Sequence, residues 1–283
     1  MSAPDLLVWM DGELRDPDTA SVRWCDHGLT VGDGVFETVE LRRGRPFAWT
    51  RHLHRLRRSA EGLEVPWPGD EALRAAVTEV SEAWGDRPGR LRVTLTSGPG
   101  PAGSGRDPGS PPTLLLSAGP MAIQEEPTAV VTVPYRRNEH GALTGLKTTS
   151  YAENVVALAH AERLGASEAL FANTAGRLCE GTGTNVFVGL GGRLVTPPLS
   201  SGCLAGVTRQ LLLEALEAAG SPATVEDVPM ERLDDVEEMF LVSTARHVQP
   251  VARLDGRELV CPGGLTAAAS RVWHEAYDDA VDP

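Results

Sequence analysis

Glycine-centred turns cut this chain into short apolar runs, and that punctuation restricts it to a sheet-rich fold with a limited set of helices. LLVWM (6–10) reads as a strand ahead of an Asp11-Gly12 turn. VFETVEL (35–41) alternates and reads as a second strand, leaving through a hairpin turn at Arg42–Arg45 that contains Gly44. LRVTLTS (91–97) and TLLLSAG (113–119) follow. Further on, VVTVP (130–134), EALFAN (168–173), an Ala175-Gly176 turn, NVFVGL (185–190), a Gly191-Gly192 turn and RLVT (193–196) suggest a meander, and MFLVSTA (239–245) is a later strand. Helical spacing places Leu53, Leu56, Ala60 and Leu63 on one face of a helix over 51–63, with Thr50 as its cap. His52, Arg55 and Ser59 form an adjoining polar stripe. Other helices are expected over about 69–84, 151–164 (closed by Gly165), 207–219 and 264–278.

The expected class is α+β with largely antiparallel strands. A chain of 283 residues accommodates two domains. The boundaries expected are 1–119, a linker over 120–128, and 129–283. The Gly/Pro-rich stretch GPGPAGSGRDPGSPP (98–112) is expected to be a long surface loop, of a kind often functional or mobile; its Arg106 is a candidate for binding a carboxylate, with solvation the favoured reading.

Charge and composition remove several function classes. The net charge is −13 and no basic face emerges, which argues against a nucleic-acid partner. The one basic cluster, RHLHRLRR (51–58), reads as a solvated helix face for most of its arginines. No apolar run approaches the ~20 residues of a membrane helix. The opening MSAPDLLVWMDGE lacks a basic stretch followed by a long apolar one, so no secretory signal is expected. Cys25, Cys179, Cys203 and Cys261 show neither metal-ligand spacing nor a disulfide framework, and a reducing cytoplasm is the expected location. The histidines show no metal spacing either; His52 and His54 read as helix-face residues, and no metal is expected.

One residue stands out against that background. Lysine and arginine together number 26, and lysine occurs once, at position 147. Arginine serves wherever a cation is enough, in salt bridges or phosphate contacts. It cannot act as a neutral primary amine on an aldehyde, because guanidinium stays protonated. A lysine kept at one position points to amine chemistry there, against the plainer alternative of chance survival.

Four segments fall into one order around it: DHGLTVGDGVFET (26–38), HLHRL (52–56), LKTTSYAEN (146–154) and LCEGTGTNVF (178–187), the last extended by TPPLSSGCLAGVTRQ (196–210). Together they resemble the class IV aminotransferases, the fold-type IV pyridoxal 5′-phosphate (PLP) enzymes. That family includes branched-chain aminotransferases, D-amino acid transaminases and 4-amino-4-deoxychorismate lyases. The resemblance implies a two-domain fold of the D-amino acid aminotransferase type, PLP held between the domains, a small-molecule amino substrate and a homodimer. Lys147 matches the Schiff-base lysine, which also moves the proton at the substrate carbon. Glu180 matches the acidic partner of the pyridine nitrogen, keeping it protonated so that the ring absorbs carbanion charge. Arg55 matches the phosphate arginine. Val207 and Thr208, opening a helix after Gly206, match amide and hydroxyl donors to the phosphate, and Thr244 a further phosphate contact. Tyr151 matches a position near the ring oxygen and Leu204 one against the ring face. Cys179 and Cys203, which flank cofactor residues, read as small packing groups. VGDGVFET lacks the GK[ST] ending of a nucleotide-phosphate loop; in the family this stretch lines the substrate side and helps form the dimer.

Departures from the family patterns narrow the reaction. Phe36 stands where D-amino acid transaminases of the Gram-positive type carry Tyr, and Ser97 where they carry a carboxylate-trapping Arg. Branched-chain enzymes show Tyr-Gly and then FEG-x-R; this chain has Val31-Gly32, then Phe36-Glu37-Thr38, with Glu40 at the Arg position. Thr38 matches a hydroxyl of the lyases that assists proton movement. The resemblance thus puts 4-amino-4-deoxychorismate lyase, which expels pyruvate and leaves 4-aminobenzoate, ahead of an aminotransferase for branched-chain or D-amino acids. A non-catalytic PLP-binding relative is the third reading. Phe36, Thr38, Arg137 and Arg246 are the candidate substrate-binding residues.

Overall fold

The structure, a computed structural model, describes residues 5–283. It divides into two units: Met1–Ala122 with Leu146–Tyr151 and Val281–Pro283, and Ile123–Gly145 with Ala152–Ala280. The segment carrying Lys147 therefore groups with the first unit, whereas the sequence reading assigns it to residues 129–283. Hydrogen bonds explain the difference. Phe36 N donates to the Lys147 carbonyl (3.0 Å) and Thr149 N to the Gly34 carbonyl (2.8 Å), so this short segment runs as an extra edge beside a strand of the first unit.

The first unit is built on a six-stranded antiparallel sheet in the order β2-β1-β6-β5-β3-β4. Its elements are β1 (Leu7–Met10), β2 (Glu13–Arg15), α1 (His27–Thr30), β3 (Gly34–Arg42), β4 (Arg45–Pro46), α2 (Trp49–Gly62), α3 (Asp70–Trp84), β5 (Gly89–Thr96) and β6 (Thr113–Pro120). Arg43 and Gly44, with φ of 48° and 71°, form the two-residue turn between β3 and β4. Val35, Val39 and Leu41 from one face of β3 pack with Leu53 and Leu56 of α2 and Leu73, Val77 and Val80 of α3 in the core of this unit. Phe36 and Thr38 belong to the opposite face, since successive strand residues alternate.

Two expectations change here. Thr50 lies inside α2 rather than capping it. The N-cap is Ala48, in the left-handed region at φ 52°, and has no side-chain cap of its own. Asp282 supplies the capping carboxylate instead, accepting from Thr50 N at 2.9 Å and Thr50 Oγ1 at 2.6 Å. Arg106 is not a solvated cation. Its guanidinium donates to both Asp33 oxygens (2.6 and 2.7 Å) and to the Leu63 and Glu64 carbonyls (2.6 and 2.8 Å), which anchors the 98–112 stretch. Burial would raise the Asp33 pKa, but Arg106 and Ser97 outweigh it and hold the carboxyl below its ordinary value.

The second unit carries a nine-stranded mixed sheet in the order β12-β11-β10-β13-β14-β7-β8-β9, with β15 added to β14. Its elements are β7 (Thr128–Arg137), α4 (Ala152–Arg163), β8 (Glu168–Asn173), β9 (Leu178–Gly181), β10 (Asn185–Leu190), β11 (Arg193–Thr196), α5 (Val207–Ala218), β12 (Thr224–Val225), β13 (Glu238–Val242), β14 (Gln249–Leu254), β15 (Arg257–Glu258) and α6 (Gly264–Tyr277). The expected meander is absent. β8 and β10 are not neighbours; each begins its own hairpin, β8 with β9 and β10 with β11. β7 pairs in parallel with both β8 and β14, and β11 with β12, so this sheet is less antiparallel than its turns suggest. The helix α4 between β7 and β8 supplies the crossover that parallel neighbours require. Among the described residues no helix is long and apolar enough to cross a membrane, and no group of three or more His, Cys, Asp or Glu side chains is placed to hold a metal ion.

Candidate active site

In the first unit the Lys147 amine lies against aromatic surface. Its Nζ is 4.4 Å from the Phe36 ring centroid and 5.7 Å from that of Tyr151. The two rings meet edge to face at 5.2 Å. The Lys147 main chain is pinned at both ends of its peptide: N–H donates to Ser59 Oγ (3.1 Å), and the carbonyl accepts from Phe36 N. Phe36 and Thr38 share a strand face, and the β3–β5 register sets Thr38 opposite Arg92. The Arg92 guanidinium lies 3.9 Å from the Phe36 centroid. Its one hydrogen bond among the described residues goes to Thr94 Oγ1 (3.2 Å), and burial pulls its pKa below the usual arginine value. Arg92 thus brings a half-buried cation with no carboxylate partner among the described residues to the neighbourhood of the lysine amine. Sequence reasoning missed it, because in GRLRVTLT it looks like the polar half of an alternating strand.

Arg55 is buried and paired. Its Nε and Nη2 donate to Glu37 Oε1 and Oε2, both at 2.7 Å, and His52 Nδ1 meets Glu37 Oε2 at 2.7 Å. Glu37 is fully buried on the face of β3 that packs on α2. Burial would raise its pKa, but Arg55 and His52 reverse that and hold it far below the carboxylate range. Burial lowers the pKa of His52, and the attraction of Glu37 only partly offsets this. The stripe His52-Arg55-Ser59 is therefore an inward one. Its signal in the sequence is Glu37 itself, a carboxylate in register with Val35, Val39 and Leu41 on the apolar side of a strand that precedes a His-x-x-Arg helix.

In the second unit Glu180 projects from β9. Its Oε2 accepts the Leu204 N–H at 2.8 Å, and its Oε1 stands 3.4 Å from Arg137 Nε. Arg137 also pairs with Glu153, donates to Asn154 Oδ1 (3.0 Å) and lies 4.2 Å over the Phe171 ring. Arg137, expected as a substrate residue, is thereby a partner of Glu180. The turn after Glu180 is held by buried Glu168, which accepts from Thr182 N and Oγ1, Gly183 N and Thr184 Oγ1. Leu204 leads directly to Gly206, the N-cap of α5, which has no side-chain cap; the Val207 and Thr208 amides open that helix. A Cβ on Gly206 would fall well inside van der Waals contact of Asn185 Oδ1. Thr244 follows β13. Arg246 is tied to Ser167 and Gln249. Burial raises the Cys179 thiol far above its usual pKa and the Cys203 thiol to about 11, in keeping with packing groups.

The donor set fits pyridoxal phosphate. The chain offers one primary amine on apolar surface, a carboxylate held by a backbone amide and an arginine, and a helix start whose amides lack a side-chain cap at a glycine that admits no Cβ. Comparisons with known proteins agree. The family model for class IV amino-transferases matches residues 34–254. A putative branched-chain-amino-acid aminotransferase of Methanocaldococcus jannaschii is 31% identical over 257 residues, which is 89% of this chain and 89% of that protein. The bifunctional aminodeoxychorismate lyase / D-amino acid transaminase of Mycobacterium tuberculosis is 30% identical over 276 residues, or 90% of this chain and 93% of that one. Among solved structures, the PLP-bound form of a hypothetical aminotransferase from Mycobacterium tuberculosis matches with a TM-score of 0.85 at 29% identity, covering 96% of this chain and 98% of that one. The chain belongs to the class IV aminotransferase family and is a fold-type IV enzyme that depends on pyridoxal phosphate.

Proposed function

We propose that the enzyme is a 4-amino-4-deoxychorismate lyase, eliminating pyruvate from its substrate to leave 4-aminobenzoate. The observation that carries this reading is the pairing of Thr38 with Arg92 on the strand face that also bears Phe36, under the Lys147 amine. When bound, pyridoxal phosphate supplies an aldehyde to capture the amino group and a ring to take up carbanion charge. Lys147 is the amine that holds the cofactor and then removes the proton at the substrate carbon. Glu180 keeps the ring nitrogen protonated, with Arg137 and the Leu204 amide holding the carboxylate in place. Arg55, the Val207 and Thr208 amides, and the Thr208 and Thr244 hydroxyls bind the phosphate. Tyr151 and Leu204 contact the ring. Arg92 anchors a substrate carboxylate, and Thr38 beside it delivers a proton to the leaving group. The enzyme works as a homodimer in the cytoplasm, a compartment that suits its four free cysteines.

A second reading is favoured by Arg92 on its own. A cation near the amine with no carboxylate partner among the described residues serves the carboxylate of any amino acid, which supports an aminotransferase for branched-chain or D-amino acids. The test is direct. Purified holoenzyme is incubated with aminodeoxychorismate and assayed for 4-aminobenzoate, and in parallel with L-branched or D-amino acids and a 2-oxo acid. Formation of 4-aminobenzoate supports the lyase; a new keto acid without 4-aminobenzoate sinks it and leaves the aminotransferase.

A further inference from the structure

We infer that Glu37 is a positioning residue for the phosphate arginine, clamping one edge of Arg55 so that the other edge is fixed towards its ligand. The inference rests on the reading of Arg55 as a phosphate ligand. Glu37 is the only carboxylate among the core-facing residues of β3, between Val35 and Val39, and is fully buried. A buried ion pair is often no more stabilising than apolar side chains of the same volume, so packing alone gives little reason for one here. What the pair does provide is orientation. Guanidinium is planar, and two parallel hydrogen bonds through Nε and Nη2 fix both its plane and its rotation. Any further ligand has to be met by the remaining donors, the second Nη2 hydrogen and the two on Nη1.

His52 braces the clamp. Glu37 is held ionised and can only accept, so His52 donates from Nδ1. Its lowered pKa keeps the ring neutral, which leaves Arg55 as the one cation sharing this carboxylate. The same helix face then reaches the amine. Seven positions after His52, Ser59 accepts the Lys147 N–H. About two turns of α2, from His52 through Arg55 to Ser59, therefore connect the arginine clamp to the backbone of the lysine. A shift of Arg55 relative to this frame changes the span between the phosphate ligand and the amine that takes the aldehyde.

The experiment compares the dissociation constants of pyridoxal phosphate and of pyridoxal, which lacks the phosphate, by absorbance titration of the apoenzyme. The dissociation constant of pyridoxal divided by that of pyridoxal phosphate reports the phosphate contacts alone. Arg55→Ala should collapse this ratio; if it does not, Arg55 is no phosphate ligand, whatever Glu37 does. Glu37→Gln keeps the shape but loses the paired acceptors, and should lower the ratio about tenfold with pyridoxal binding nearly unchanged. A parallel weakening of both ligands would show Glu37 to be merely structural, and a rise in the ratio would show it to restrain the charge of Arg55; either overturns the inference. Glu37→Asp, which retains the charge but is one methylene too short to close both bonds, serves if the Gln variant does not fold. It should lower the ratio too, and an unchanged ratio overturns the inference.

Discussion

Gly206→Ala is the substitution for which the structure sets the clearest magnitude. The backbone itself admits alanine, since Gly206 has φ −66° and ψ 133°. In open space the change would stabilise the protein by about 0.4–1 kcal/mol through the unfolded chain. The space is not open, because the new methyl falls on Asn185 Oδ1. Asn185 is itself committed, donating from Nδ2 to the Leu204 carbonyl at 2.9 Å. Moving Asn185 breaks that bond, at about 1 kcal/mol, and overpacks a buried site, at about 1–3 kcal/mol. The net loss is about 1–4 kcal/mol, or a fall in Tm of at least about 2 °C for a chain of this size. A second effect follows from the adjoining peptide. The Leu204 N–H holds Glu180, and Gly206 starts the helix whose amides are the proposed phosphate donors. Pyridoxal phosphate should bind at least tenfold more weakly, which removes about 1.4 kcal/mol of the stabilisation that saturating cofactor confers. Thermal melts followed by circular dichroism, with and without cofactor, read both quantities. A variant that melts within about 1 °C of the parent and gains as much from cofactor would refute the reasoning.

Three other outcomes are expected. Arg92→Leu should raise KM for the amino substrate by about 10–100-fold, the worth of one charged hydrogen bond, with cofactor affinity unchanged; steady-state kinetics beside an absorbance titration separates the two. Stability should decline with acid in two stages. His52 and Glu37 both have folded pKa values below their ordinary 6.5 and 4.5, so the unfolded chain binds more protons. The His52 contribution is present above 6.5 and fades as pH falls through that value; the Glu37 contribution holds until pH drops below 4.5, and Glu37→Gln should flatten that lower limb in urea titrations. Arg106→Ala should cost about 1–3 kcal/mol and expose the 98–112 stretch to limited proteolysis, because it removes the bonds to Asp33 and to the Leu63 and Glu64 carbonyls.

The sequence revealed elements more readily than neighbours. Alternation identified β3 and the apolar spacing identified α2, because both are local properties of consecutive residues. Adjacency across the second sheet was not local. NVFVGL and EALFAN are buried on both faces, so neither alternates, and nothing in them says which strand lies alongside. β9 went unread because four residues with Glu180 in the middle make no periodic run. The caps and anchors failed for the same reason. Thr50 looks like a cap until Asp282 is folded back to it, and Arg106 looks solvated until Asp33 and the carbonyls at the end of α2 are brought to it. Residues named from the family motifs fared differently: Lys147, Phe36 and Tyr151 come together, as do Glu180 and Leu204, while Arg137 turns to Glu180 and Arg246 to Ser167 and Gln249.

The run Phe36-Glu37-Thr38 shows why a motif of three consecutive residues on a strand serves two tasks. Neighbours on a strand point to opposite faces. Glu37 therefore joins Val35 and Val39 against α2, where it meets His52 and Arg55, while Phe36 and Thr38 look the other way, towards Lys147 and Arg92. A slip of one residue between β3 and β5 would exchange the faces, burying a ring and a hydroxyl against α2 and leaving the arginine clamp without its carboxylate. The eight-residue antiparallel register of β3 with β5, from Gly34–Thr96 to Leu41–Gly89, makes that slip costly. Extended pairing that looks purely structural thus fixes which side of the strand holds the Arg55 clamp and which side faces the Lys147 amine.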